Sequence, residues 1–187
     1  MKSDFRIVAG NLCEYYGPGG DVKLPEGITV ISNYALKKFT SAVIPDSVTL
    51  LGLQDHAALQ RLVIGAGVTD LRSGIFEHCK DLKSVVIGPN VKNIGEDGFF
   101  KIGAFWGCES LETVVLGNKV ERIAASTFMN CKNLKSIVIP KSVTWMGKDV
   151  FLGCNKDLVI YCRAEEHEVS WHKKWNRFNK VVWGYNN

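Results

Sequence analysis

Between Cys108 and Cys154 two units of 23 residues lie on top of each other without a gap. The first runs Cys108-Glu-Ser-Leu111-Glu-Thr-Val114-Val-Leu116, with Val120, Ile123, Phe128 and Cys131 completing it. The second runs Cys131-Lys-Asn-Leu134-Lys-Ser-Ile137-Val-Ile139, with Val143, Met146, Phe151 and Cys154 completing it. Apolar residues recur at the same offsets, and polar or turn-forming residues separate them. A fixed period in the range of 20 to 29 residues marks a chain whose units bury their apolar face only against their neighbours. That excludes most globular folds at once and leaves a solenoid.

The period can be followed through the residue that closes each strand: Leu24, Ile44, Ile64, Ile87, Leu116, Ile139 and Ile160, at spacings of 20, 20, 23, 29, 23 and 21. Each strand is short and alternating, as in Leu134-x-x-Ile137-x-Ile139, so Ile137 and Ile139 should face inward. Pro25, Pro45, Gly65, Gly88, Gly117 and Pro140 follow directly, ending the strand and turning the chain. A second apolar pair comes next, from Ile28/Ile31 to Val143/Met146. Before each cysteine a short helical turn is expected, with Phe76, Phe105, Phe128 or Phe151 plugging the core. The fold class is therefore a repeat solenoid, mainly β with parallel short strands and short helical turns, right-handed, with about six to seven repeats.

Cys79, Cys108, Cys131 and Cys154 hold one equivalent position in successive repeats. Free cysteine is among the most buried residue types, so these four should form a ladder of thiols inside the solenoid. Parallel Cβ vectors disfavour disulfides, and a straight row cannot make a zinc tetrahedron. Residues 1–20 should form an N-terminal cap, 21–162 the solenoid and 163–187 a C-terminal cap, all in one domain. Trp171, Trp175 and Trp183 in the tail should lie over the open end; the alternative is an aromatic platform for a sugar. Between Ile94 and Cys108 the chain is six residues longer than its neighbours, and Phe99, Phe100 and Trp106 make that insertion aromatic. It either folds back into the widened repeat or forms a contact site.

The pattern Leu-x-x-Val-x-Ile-Pro-x-x-Val-x-x-Ile-Gly-x-x-x-Phe-x-x-Cys, carried by Leu59–Cys79, Leu82–Cys108, Leu111–Cys131 and Leu134–Cys154, resembles the BspA-like leucine-rich repeats of bacterial surface proteins and some protozoa. The opening FRIVAGNLCEYYGPGGDVKLPEGITVI and the closing SWHKKWNRFNKVVWGY are similar to segments that flank such repeats. The resemblance implies a parallel-stranded solenoid used for adhesion or protein binding, usually at the cell surface. The first two repeats depart from it, being 20 residues long and without the Phe and Cys. The opening MKSDFRIVAGNLCEYY has no apolar core of a signal peptide, so a chain complete as it stands is expected in the cytoplasm.

Little in the sequence could carry chemistry. Net charge is +4, from 23 basic and 19 acidic residues without a Lys/Arg block, which gives no case for nucleic acid. No apolar run reaches the roughly 18 residues of a membrane span. His167-Glu168-x-x-x-His172 misses the zinc-protease spacing, because positions five apart on a helix diverge by about 140°. His56 replaces a ladder cysteine. No nucleophile elbow, triad or phosphate loop is present, so neither catalysis nor a cofactor is expected.

The periodicity does mark one surface. Between the inward positions of the strands stand Val43, Val63, Val86, Val115, Val138 and Val159, with Lys23 in the first strand. Ser41, Arg61, Ser84, Thr113, Ser136 and Asp157 flank them. At about 4.8 Å per strand these valines would make a stripe roughly 25 Å long, enough for contact with a partner, although β-branched rows also stabilise a sheet by themselves. The expected function is non-catalytic protein binding or adhesion by a monomer. The candidate site comprises Val63, Val86, Val115, Val138, Arg61, Ser84, Thr113 and Ser136, with Phe100 and Trp106 from the insertion. The alternatives are glycan binding through the Trp cluster and the 95–107 loop, which requires Trp171 and Trp175 to be exposed, or a purely structural spacer.

Overall fold

The computed structural model describes residues 4–52, 58–96, 102–166 and 170–186. The chain begins with an antiparallel pair, β1 (Phe5–Val8) and β2 (Asn11–Tyr15). After it come β3 (Gly20–Asp21), β4 (Val30–Ile31), β5 (Phe39–Val43), β6 (Leu50–Leu51), β7 (Arg61–Val63), β8 (Asp70–Leu71) and β9 (Ser84–Val86). The rest are β10 (Asn93–Ile94), β11 (Thr113–Val115), β12 (Arg122–Ile123), β13 (Ser136–Ile139), β14 (Trp145–Met146), β15 (Val159–Cys162) and β16 (Lys180–Val182). Odd-numbered strands from β3 to β15 build a front wall and even-numbered strands from β2 to β14 a back wall. All pairings after the first are parallel. The protein is a solenoid of about seven turns, as the sequence period requires.

A third wall replaces the expected helical turns; no helix occurs among the described residues. Its amides alternate between the next coil and their own turn. Phe76 N–H donates to Ala104 O at 2.9 Å, Phe105 to Thr127 O at 2.9 Å, and Phe128 to Val150 O at 3.0 Å, while Glu77 donates to Gly74 O at 3.1 Å and Met129 to Ser126 O at 3.0 Å. His78, Ser126, Asn130 and Asp149 have positive φ, between 55° and 63°, which breaks any helical run. With every other donor spent between coils, this wall makes single i to i−3 turns and no α-helix.

Stacking coils in register stacks identical side chains. Phe76, Phe105, Phe128 and Phe151 form one column with centroids 5.3, 5.6 and 5.7 Å apart and ring planes within 15° of parallel. Trp175 ends the column edge-on to Phe151 at 6.1 Å. Asp149 and Arg177 fasten this end through a two-pronged contact of 2.5 and 3.0 Å, and the guanidinium holds the Asp149 carboxyl below its ordinary pKa. Near the N-terminal end Tyr15 meets Phe39 edge-on at 5.0 Å, and Phe39 holds the place that Leu59 and Leu82 hold in later coils, three residues before the inward strand position.

The cysteines form a second column. Cys108 Sγ donates to Phe76 O at 3.1 Å, Cys131 to Phe105 O at 3.4 Å and Cys154 to Phe128 O at 3.0 Å, each in the preceding coil. Every cysteine is a free thiol.

Glycines form a third column, at the turn after each front strand. A Cβ on Gly65 would stand 2.4 Å from Ile44 O, one on Gly88 2.5 Å from Gly65 O, and one on Gly117 2.4 Å from Gly88 O. These distances are far inside van der Waals contact. Here glycine allows one backbone to lie against the next.

Two substitutions test these columns. Phe128→Ala removes the middle of the ring stack and should destabilise the fold by about 3–5 kcal/mol. Gly88→Ala forces neighbouring coils apart and should cost about 1–3 kcal/mol. Urea unfolding followed by circular dichroism measures both.

Candidate binding face on the front sheet

Alternation along each front strand places one residue of every coil inward and the next outward. Ala42, Leu62, Val85 and Val114 are buried, so their successors face solvent. Those successors are in direct register: Val43 beside Val63, Val63 beside Val86, and Val86 beside Val115. Val43 is 61% exposed, Val86 38% and Val115 51%, with Val63 half-buried between neighbours. Ser41, Arg61, Ser84 and Thr113 form a parallel polar row beside them. The tail lies elsewhere and leaves this face open, with β16 pairing at the far edge of β15.

The stripe is shorter than the expected six valines. β15 pairs with β13 so that Val138 stands beside Tyr161 and Ser136 beside Val159. Val159 therefore belongs to the polar row and Tyr161 to the apolar one, while Asp157 lies in the turn before the strand. Matching Ile160 to Ile139 by sequence was off by two positions, because Cys162 is the residue that faces Ile139. Val182 continues the apolar row beside Tyr161.

A second difference lies between Val115 and Val138. β11 is the last strand of a five-stranded sheet and β13 the first strand of a three-stranded one, with no ladder between them. The back wall stays joined at the same level, with Arg122 paired to Trp145 and Ile123 to Met146. At this level the front wall is split and the back wall is not; the back wall has its own break, between β6 and β8. A surface cleft of about 630 Å3 runs along the turn end of these coils, from Ile87 and Pro89 past Leu116 and Lys119 to Pro140 and Arg163.

Where glycine follows the strand, at Gly65, Gly88 and Gly117, the coil closes onto its predecessor and the ladder is complete. Glycine is not required for closure, since Arg163 follows β15 and its N–H donates to Ile139 O at 3.0 Å beside a complete ladder. Pro140 follows β13, and Pro45 follows β5 in the coil after Pro25. There the ladder between β3 and β5 stops at Asp21 and Ser41, and a cleft of about 510 Å3 opens beside Lys23, Val43 and Pro45.

Other predicted residues fall as follows. Phe99, Phe100, His56, His167 and Glu168 lie outside the described residues. Trp106 is half-buried with its ring 4.9 Å from His78. Trp171 and Trp175 are only 3% and 4% exposed, packed edge-on to each other at 5.2 Å, with Trp183 against both. They are core residues, and the sugar-platform reading of the tail loses its surface. No group of three His, Cys, Asp or Glu able to hold a metal occurs among the described residues.

The thiols are chemically quiet. Contact with Cys79, then burial, raises the Cys108 pKa; burial, then Cys154, raises that of Cys131. Burial alone pushes Cys162 up to about 12.

These walls and columns define a parallel β-solenoid of leucine-rich repeats. A profile of the BspA type Leucine rich repeat region matches in six copies across residues 20–102 and 100–164, and the chain belongs to that family. Among solved structures, a leucine-rich repeat protein of T. pallidum superposes with a TM-score of 0.67 at 26% identity, over 83% of this chain and 77% of that one. One from Eubacterium ventriosum gives 0.56 at 22% identity, over 78% of this chain and 46% of its own. No curated protein sequence matches significantly.

One chemical consequence is direct. Iodoacetamide at pH 8 should label only the half-buried Cys13 and Cys154 of the native protein. Cys79, Cys108, Cys131 and Cys162 should react only after denaturation, as peptide mass spectrometry would show.

Proposed function

We propose that the chain is a non-catalytic protein-binding module, used for recognition or adhesion, whose contact surface is the front sheet. Val63, Val86, Val115 and Val138 are its apolar centre, and Arg61, Ser84, Thr113 and Ser136 its polar margin. Residues 1–20 and 163–187 serve as caps, and Trp106 with the insertion around it is a secondary contact. The observation that carries this reading is the uncovered row Val43–Val63–Val86–Val115 on a wall whose opposite face is fully buried.

β-branched rows gain cross-strand packing in any sheet, so a row of valines alone does not require a partner. Exposure of three of the four is what favours contact, because apolar surface left in water loses the free energy its burial would supply. The family is one of repeat proteins typical of interaction modules.

The test is a panel of purified proteins immobilised for biolayer interferometry. Any ligand held by the wild type should bind the Val86→Lys/Val115→Lys double variant about tenfold more weakly or worse. The variant's circular dichroism should be unchanged, since both side chains face solvent. Undiminished binding by a folded double variant would remove the valine row from the site.

A further inference from the structure

Among the described residues Phe178 is the large apolar side chain most open to water, at 82% exposure. Its neighbours in the chain are fastened. Asn176 Nδ2 donates to Asn179 O at 2.8 Å, and Asn179 N–H donates to Asn176 Oδ1 at 3.2 Å, closing the turn on itself. Asn179 Nδ2 donates to Asn155 O at 2.9 Å, which ties the turn to the preceding coil, and Arg177 grips Asp149. A turn anchored at 176, 177 and 179 holds the ring of Phe178 out in water, and the free energy its burial would supply is left for something else to collect.

The same corner, where the third wall turns into the front wall, is cationic. Lys148, Lys156, Lys173, Lys174, Arg177 and Lys180 are all exposed there. Against them among the described residues stand Asp157 and Asp149, and Asp149 is half-buried under Arg177 and Lys148. These six basic and two acidic residues account for the whole net charge of +4, because the rest of the chain holds equal numbers of each. Arg163, Glu165 and Glu166 follow the opposite end of β15.

A rigid aromatic tip set among lysines on a convex corner fits the surface of an anionic bilayer. That surface takes a ring at the depth of its headgroups without a preformed pocket, and its negative potential draws cations to it. One apolar anchor and a basic patch hold together what neither holds alone. We propose that this corner is a peripheral membrane-docking site, with Phe178 entering the headgroup region and Lys173, Lys174 and Lys180 lying against anionic lipid. The valine row from Val43 to Val115 lies several coils away and stays uncovered in this mode, so the site stands or falls apart from the reading of the front sheet.

The experiment is co-sedimentation of the full chain with vesicles of phosphatidylcholine, alone or with about one third phosphatidylglycerol. The wild type should bind the anionic vesicles and not the neutral ones, and raising salt from about 0.1 M to about 0.5 M should release it. Phe178→Ala should weaken binding about tenfold. Phe178→Trp should keep it and add a fluorescence that the anionic vesicles shift to the blue. Lys173→Glu/Lys174→Glu/Lys180→Glu should abolish binding. Lys80→Glu/Lys83→Glu/Lys92→Glu, the same charge change in earlier coils, should leave it within about threefold of the wild type. All these side chains are exposed, so circular dichroism should not change. Absence of binding to the phosphatidylglycerol vesicles overturns the proposal and leaves the tip to a protein partner. Undiminished binding by Phe178→Ala reduces the attraction to charge alone and overturns it too, as does an equal loss in the two lysine triples.

Discussion

The close approach of one coil's backbone to the next is the constraint on which everything else depends. A repeat of this length cannot enclose a core by itself, and its inward residues are covered only by the coils above and below. Once that spacing is set, each side chain meets its own equivalent. The rows follow: phenylalanine rings stacked near 5.5 Å, thiols donating to the carbonyls of the preceding coil, and valines side by side outside. The third wall also follows, because the alternate turn amides that bond to the neighbouring coil leave only single i to i−3 turns within each coil.

Aromatic side chains cover the core near both ends of the chain. Trp175 meets Phe151 edge-on at the end of the phenylalanine stack, and Tyr15 meets Phe39 edge-on in the first coils. An edge-on ring stops a stack while still covering it, since its positive edge meets the negative face below. This explains why tryptophans in the tail are buried. They do for the last coil what another coil does for every other.

Apolar periodicity was enough to read the fold, the inward residues, the thiol row and the outward valines, because each is a statement about which face a position occupies. It was not enough to read how closely two coils approach. The last strand failed for a related reason. Ile160 matches Ile139 in residue type, but the strand runs on to Cys162 without a proline or glycine to end it, so the position of its turn is not marked.

Outward side chains on the front wall contribute little to the core and can vary without threatening the fold, so they suit recognition. The back wall keeps the same coils joined through β12 and β14, so the front can open without parting the solenoid. Coils hydrogen-bonded on the other walls can give up one ladder and stay stacked. A β-sandwich has no third wall to compensate a lost edge pairing in this way.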